Sequence, residues 1–123
     1  MAAGPSSRKH MIIRSAYLEG SVAPGERERF DSHMSGPVVA AIATYPGLRQ
    51  VRLRKLALAD AGAPSIYMVF DLYFDSLKAM DAALASPTRQ AVRDLIAQGM
   101  TPFQGRVYHL VFSEEGGLLA SQA

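Results

Sequence analysis

The stretch Ile66-Tyr-Met-Val-Phe-Asp-Leu-Tyr-Phe74 decides the fold. Its aliphatic and aromatic residues suit a pleated, half-buried surface, which makes it the strongest strand signal in the chain. Side chains alternate along a strand. One face then carries Ile66, Met68, Phe70, Leu72 and Phe74, all apolar. The other carries Tyr67, Val69, Asp71 and Tyr73. The first face belongs under helices, and the second must meet something else.

Downstream, Asp75 or Ser76 starts a helix with Leu77, Met80 and Leu84 on one side. Ser86-Pro87 then reads as an N-cap with proline at the first helical position. It opens a second segment with Val92, Leu95 and Ile96 inward, ending near Gly99. Met100 to Gly105 reads as a loop and Arg106 to Phe112 as a strand.

Upstream, Asp60 to Pro64 is a turn region, preceded by a strand over Leu48 to Leu58. Before it, Phe30, Met34, Val38, Ala41, Ile42 and Tyr45 recur at helical spacing from Glu26 on. Gly36-Pro37 predicts a kink or break there, because proline lacks the backbone donor. Pro46-Gly47 ends the helix. Met11 to Glu19 is a strand closed by Gly20. The order β-α-β-β-α-β predicts an α+β ferredoxin-like sandwich, a four-stranded antiparallel sheet with helices on one face. Residues 10–113 form the expected single domain, between a flexible tail at 1–9 and a second tail at 114–123.

Placing the more apolar set of each strand under the helices puts Met11, Ile13, Ser15 and Tyr17 there, with Tyr108, Leu110 and Phe112. The second face then collects Arg14, Arg52, Arg54, Tyr67, Asp71, Tyr73 and His109, mixed with aliphatics such as Leu18 and Val107. So many ionisable groups do not suit a dry core, and so many aliphatics do not suit open water. The mixture fits a partly enclosed pocket, or a sheet-to-sheet homodimer with polar groups inside.

Of 123 residues, 49% are hydrophobic and 20% charged, the profile of a soluble globular domain. Thirteen Lys+Arg against eleven Asp+Glu leave a net charge of +2, too little to argue for nucleic acid. There is no cysteine, which excludes disulfides, thiolate catalysis and cysteine-ligated metals. Signal-peptide and membrane-span patterns are absent, so the expected location is cytoplasmic. The three histidines, His10, His33 and His109, lie in a tail, a helix and a strand without metal-ligand spacing. No phosphate loop or dinucleotide fingerprint occurs, and neither metal nor cofactor is expected.

The segment from Asp71 to Val92, Asp-Leu-Tyr-Phe-Asp-Ser-Leu-Lys-Ala-Met-Asp-Ala-Ala-Leu-Ala-Ser-Pro-Thr-Arg-Gln-Ala-Val, resembles the second half of EthD-like proteins. Phe30-Asp31, His33, Pro37-Val38 and Tyr45-Pro46-Gly47-Leu48 resemble the family's first helix and its exit. The resemblance spans about residues 10 to 113. It implies a dimeric α+β barrel, two ferredoxin-like subunits packed sheet to sheet, each with a cavity. Relatives include cofactor-free isomerases and cyclases, and oxygenases of aromatic polyketides. Where family members often carry a histidine two residues before the helix-one proline, this chain has Ser35, and the nearest histidine is His33.

The catalytic candidates are His109, His33 and Asp71. Imidazole titrates near neutrality and serves as a general base. Asp71 could orient His109, act as a base, or pair with an arginine, since a buried carboxylate needs a cation or donors. Arg14, Arg52 and Arg54 are candidates for holding a carboxylate or enolate. Tyr67 and Tyr73 can donate to a carbonyl oxygen while lining an apolar wall. The expected function is a pocket for a small, partly apolar, oxygenated molecule. It would serve cofactor-free proton transfer (isomerisation, cyclisation or dehydration) or ligand binding without chemistry. An RNA-recognition module shares the element order, but Arg106 to Phe112 lacks its glycine-and-aromatic stacking pattern.

Overall fold

The structure, a computed structural model, describes residues 10–121. The expected N-terminal tail lies outside them. The elements run β1 (Ile12–Val22), α1 (Arg27–His33), a π turn (Met34–Val38), α2 (Val39–Ile42), β2 (Leu48–Lys55), β3 (Ile66–Phe74), α3 (Leu77–Leu84), α4 (Thr88–Gly99) and β4 (Phe103–Ser113). The strands form one antiparallel sheet in the order β2-β3-β1-β4. This is the expected α+β ferredoxin-like arrangement. Among the described residues no helix is long and apolar enough to cross a membrane.

The first helical layer shows why its sequence stripe works. Phe30, Met34, Val38 and Ile42 are all buried and recur every fourth residue. In a regular α-helix each such step overshoots a full turn by about 40°. The stripe would wind off the sheet. The wider π turn at Met34–Val38 takes back part of that drift. Pro37 sits inside it, where the regular hydrogen-bond ladder is already interrupted. The kink expected at Gly36-Pro37 is therefore a local widening, and the backbone stays right-handed helical through Val39.

Other boundaries shift for identifiable reasons. Ser76 caps α3, its Oγ accepting from the Ala79 N–H at 3.0 Å. Ser86 does not cap α4; its hydroxyl donates back to the Ala83 carbonyl at 2.6 Å and closes α3 instead. β1 continues past Gly20 to Val22, and β4 begins at Phe103 rather than Arg106, because the two strands pair along that whole length. Gly20 and Gly105 face each other in this ladder with φ of +150° and +153°. A Cβ on Gly105 would lie 2.0 Å from the Glu19 carbonyl oxygen, so only glycine fits that approach.

The register corrects the face assignment of two strands. Residues directly opposite in an antiparallel ladder share a face. Arg14 pairs with Leu72 and Val111, and Ala16 with Phe70 and His109. Since Phe70 and Leu72 lie in the core under the helices, Arg14 and His109 lie there too. Ser15, Tyr17, Tyr108, Leu110 and Phe112 take the outer face with Asp71 and Tyr73. The expectation placed the more apolar half of each strand inward. It fails for β1 and β4 because the outer face is itself apolar, with Leu110 and Phe112 45% and 44% exposed.

Candidate functional site

A cavity of about 270 Å³ lies between the sheet and the helices. Its floor is Arg14, Ala16 and Leu18 of β1 with Phe70 and Leu72 of β3. Ala16 is the small residue on this floor, flanked by the larger Phe70 and His109 in the ladder. The roof is Met34, Ile42, Val92 and Ile96, and the edge strand supplies Val107 and His109. Polar groups converge from three directions: Arg14 from the sheet, Tyr45 from the exit of α2, and Arg89 and Arg93 one turn apart on α4.

The three arginines are electrostatically unmatched. Among the described residues, Glu19, Glu26, Asp31, Asp71 and Asp75 pair with Arg106, Arg29, Lys55, Arg54 and Arg49 respectively. None of these carboxylates pairs with Arg14, Arg89 or Arg93. Among the described residues no carboxylate lines the cavity. Burial, then the Arg89 guanidinium, pushes the Arg14 pKa below the usual arginine value. Burial raises the Tyr45 phenol above its usual value against the pull of Arg89, Arg14 and Arg93, so it stays a neutral donor. His109 stands at the rim, open to solvent along the edge strand. Desolvation, then Arg14 and Arg89, holds its imidazole below the ordinary value and therefore neutral near pH 7.

The site residues expected from sequence separate into four places. Arg14 and His109 share the cavity. Asp71 is on the opposite face of the sheet, 3% exposed, and does not orient His109. Its Oδ1 accepts from the Ser15 hydroxyl at 2.6 Å, and Arg54 donates through Nε to Oδ2 at 2.6 Å and through Nη2 to Oδ1 at 3.1 Å. Arg52 and Tyr73 lie beside this cluster, in a shallow depression of the outer face. Tyr67 is the extra residue at the β-bulge opposite Leu18 and Glu19. The bulge turns its ring edge-on to Phe30, with centroids 5.7 Å apart, and its hydroxyl donates to Asp31 at 2.6 Å; Lys55 pairs with the same carboxylate. His33 is pinned elsewhere. Its Nε2 is 2.7 Å from the Leu95 carbonyl, which makes it the protonated nitrogen. The ring packs where a Cβ on Gly99 would lie, 2.4 Å from Cδ2.

Two broader depressions lie beside His33 and over Asp71. Most of their polar groups pair among themselves, Glu26 with Arg29, His33 with Leu95, and Arg54 with Asp71 and Ser15, while Arg52 and Tyr73 in the second stand without a partner among the described residues. Of the three, the sheet–helix cavity gathers the most charge without a counter-ion, with Arg14, Arg89 and Arg93 on largely apolar walls. Sequence reasoning missed Tyr45, Arg89 and Arg93. The signal for the two arginines was present, because they flank Val92 on a helix whose other inward residues are apolar. Tyr45 reads only as the last apolar position of its helix.

No protein-family model matches the chain, and no curated protein matches it. Solved structures do. An ethyl tert-butyl ether D (EthD) family protein from Bacillus halodurans superposes with a TM-score of 0.69 at 17% identity, covering 85% of this chain and 99% of that one. SnoaB, a cofactor-independent oxygenase from Streptomyces nogalater, gives 0.57 at 18% identity, covering 89% and 97%. A dimeric protein of ferredoxin-like fold from Bacteroides fragilis gives 0.60 at 12% identity, covering 84% and 95%. The class is thus the α+β ferredoxin-like fold. Within it, this chain has the fold of an EthD-family protein, in agreement with the likeness of its Asp71 to Val92 segment to EthD-like sequences.

Proposed function

We propose that this protein is a small, homodimeric, cytoplasmic EthD-like protein. Its sheet–helix cavity holds a small, partly apolar, oxygenated molecule and promotes cofactor-free proton transfer on it. The observation that carries this reading is the convergence of a neutral imidazole, His109, with Arg14, Arg89 and Tyr45 on an otherwise apolar cavity. His109 accepts the proton. Arg14 and Tyr45 donate to the oxygen that gains charge as the C–H or O–H bond breaks. The apolar walls keep water from competing for those donors. The similarity to a cofactor-independent oxygenase supports such chemistry on this fold.

The homodimer forms through the outer sheet face. Exposed Leu110 and Phe112 support this, as does the similarity to a dimeric protein. Binding without chemistry is favoured by one observation: among the described residues no carboxylate lines the cavity to fix the His109 tautomer.

Native mass spectrometry of freshly purified protein, followed by a denaturing run, tests the reading. The expected result is a dimer that releases a small retained molecule on denaturation. A clean monomer overturns the sheet-to-sheet dimer. A dimer in which neither isomerisable ketones and phenols nor small aromatic carboxylates move the His109 resonances overturns the site.

A further inference from the structure

We infer that the occupant of this cavity is an organic acid: an apolar body bearing an ionised oxygen group held among Arg14, Arg89 and Tyr45. The inference rests on the cavity being the functional site and goes on to name the chemical class that fills it.

Charge balance sets the class of ligand. A half-buried guanidinium without a counter-ion is expensive, and two such groups facing one cavity repel each other. Every acidic side chain that could relieve them is committed elsewhere or lies outside the cavity. Asp71, the one strongly buried carboxylate described, faces away and is satisfied by Arg54 and Ser15. A neutral ether, ketone or quinone filling the space would leave this imbalance in place. An ionised carboxylate or enolate removes it, and guanidinium forks match planar oxyanions.

The remaining walls fix the rest of the ligand. Leu18, Met34, Phe70, Val92, Ile96 and Val107 offer it no polar partner. At about 270 Å³ the space lies just under the usual range for drug-sized ligands, so the body is small. Arg93, exposed at the mouth, adds attraction to an approaching anion more than it adds a fixed contact.

The test uses matched pairs of one shape and different charge, 2-naphthoate with 2-naphthamide and benzoate with benzamide, titrated into the full chain at low salt. Affinity is read by calorimetry, and the position of binding by the His109 ring resonances. The expected result is that the acid of at least one pair binds about 10- to 100-fold tighter than its amide, which one or two charge-assisted hydrogen bonds supply. The preference falls several-fold in R89Q, which removes one of the two half-buried guanidiniums and leaves Arg14 in place. Binding of the acid also raises the His109 pKa, since an anion now faces it.

Equal binding of acid and amide, with His109 moving in both, overturns the acid and leaves the cavity standing. Failure of all four probes to move His109 overturns both.

Discussion

The buried cluster on the outer face allows a worked prediction. Ser15 is 2% exposed and its hydroxyl donates to Asp71 at 2.6 Å. Replacing it by alanine deletes one hydrogen bond to a charged group, a loss of about 1.5–3 kcal/mol. Asp71 keeps Arg54, so the carboxylate is not orphaned. Asp71→Ala strands the buried Ser15 hydroxyl, about 1–3 kcal/mol. The Arg54 side chain is 60% exposed in the single subunit, so losing its ion pair costs about 0–1 kcal/mol. In the double variant no hydroxyl is left to strand. The two costs therefore overlap, with a coupling of about 1–3 kcal/mol. Urea denaturation of the four proteins at one protein concentration measures this, provided the m-values agree. Costs that add to within about 0.5 kcal/mol would show that Ser15 and Asp71 act independently and refute the reasoning. Acid binding in the cavity should be unchanged in Asp71→Ala, because the sheet separates the two sites.

Three further outcomes follow from the same geometry. Arg14→Gln removes an unpaired, half-buried charge, so it should stabilise the free protein by about 0.5–2 kcal/mol while abolishing acid binding; a lower melting temperature would mean that Arg14 has a partner within the fold. His109 has a lowered folded pKa, so the unfolded chain protonates it first as the pH falls. Stability should therefore drop on acidification through about 6.5, more steeply in the parent than in His109→Gln; parallel melting profiles of the two proteins would exclude the shift. Gly99→Ala should cost about 1–3 kcal/mol, because its Cβ displaces the His33 ring and breaks the Leu95 hydrogen bond; an unchanged His33 spectrum in that variant would contradict the packing.

Much of the architecture was legible because local signals agreed. Ile66 to Phe74 begins and ends where the sequence pattern places it, and its inward and outward sets hold from Met68 on. That strand sits inside the sheet, where one face is dry and alternation carries a strong signal. The edge strand β4 is different. Tyr108, Leu110 and Phe112 outweigh Val107, His109 and Val111 in apolar bulk, yet they point away from the helices. Apolar bulk alone does not say which face of an edge strand meets the helices, because here the outer face is as apolar as the inner one. β1 offered almost no contrast, and Arg14 misled because a charge inside a cavity looks like a charge in water. The bulge at Tyr67 left no mark in the pattern, since nothing in the residues themselves says which ladder will skip one. The candidate site was legible as a list of residue types, an arginine and a histidine with tyrosine nearby, but not as the particular set that meets.

The π turn also records something about how this chain's length is free to vary. Phe30, Met34, Val38 and Ile42 are separated by four, four and four. Remove Pro37 and the separations become four, three and four, the spacing of an uninterrupted helix. The same loss takes away the one residue in the segment that cannot donate to the ladder. A shortened chain would thus keep every buried side chain of this layer facing the sheet and give up only one exposed position. Homologues one residue shorter here are accordingly compatible with an intact roof over the cavity, and an alignment gap at this point would mark a change of helix pitch rather than the loss of a functional group.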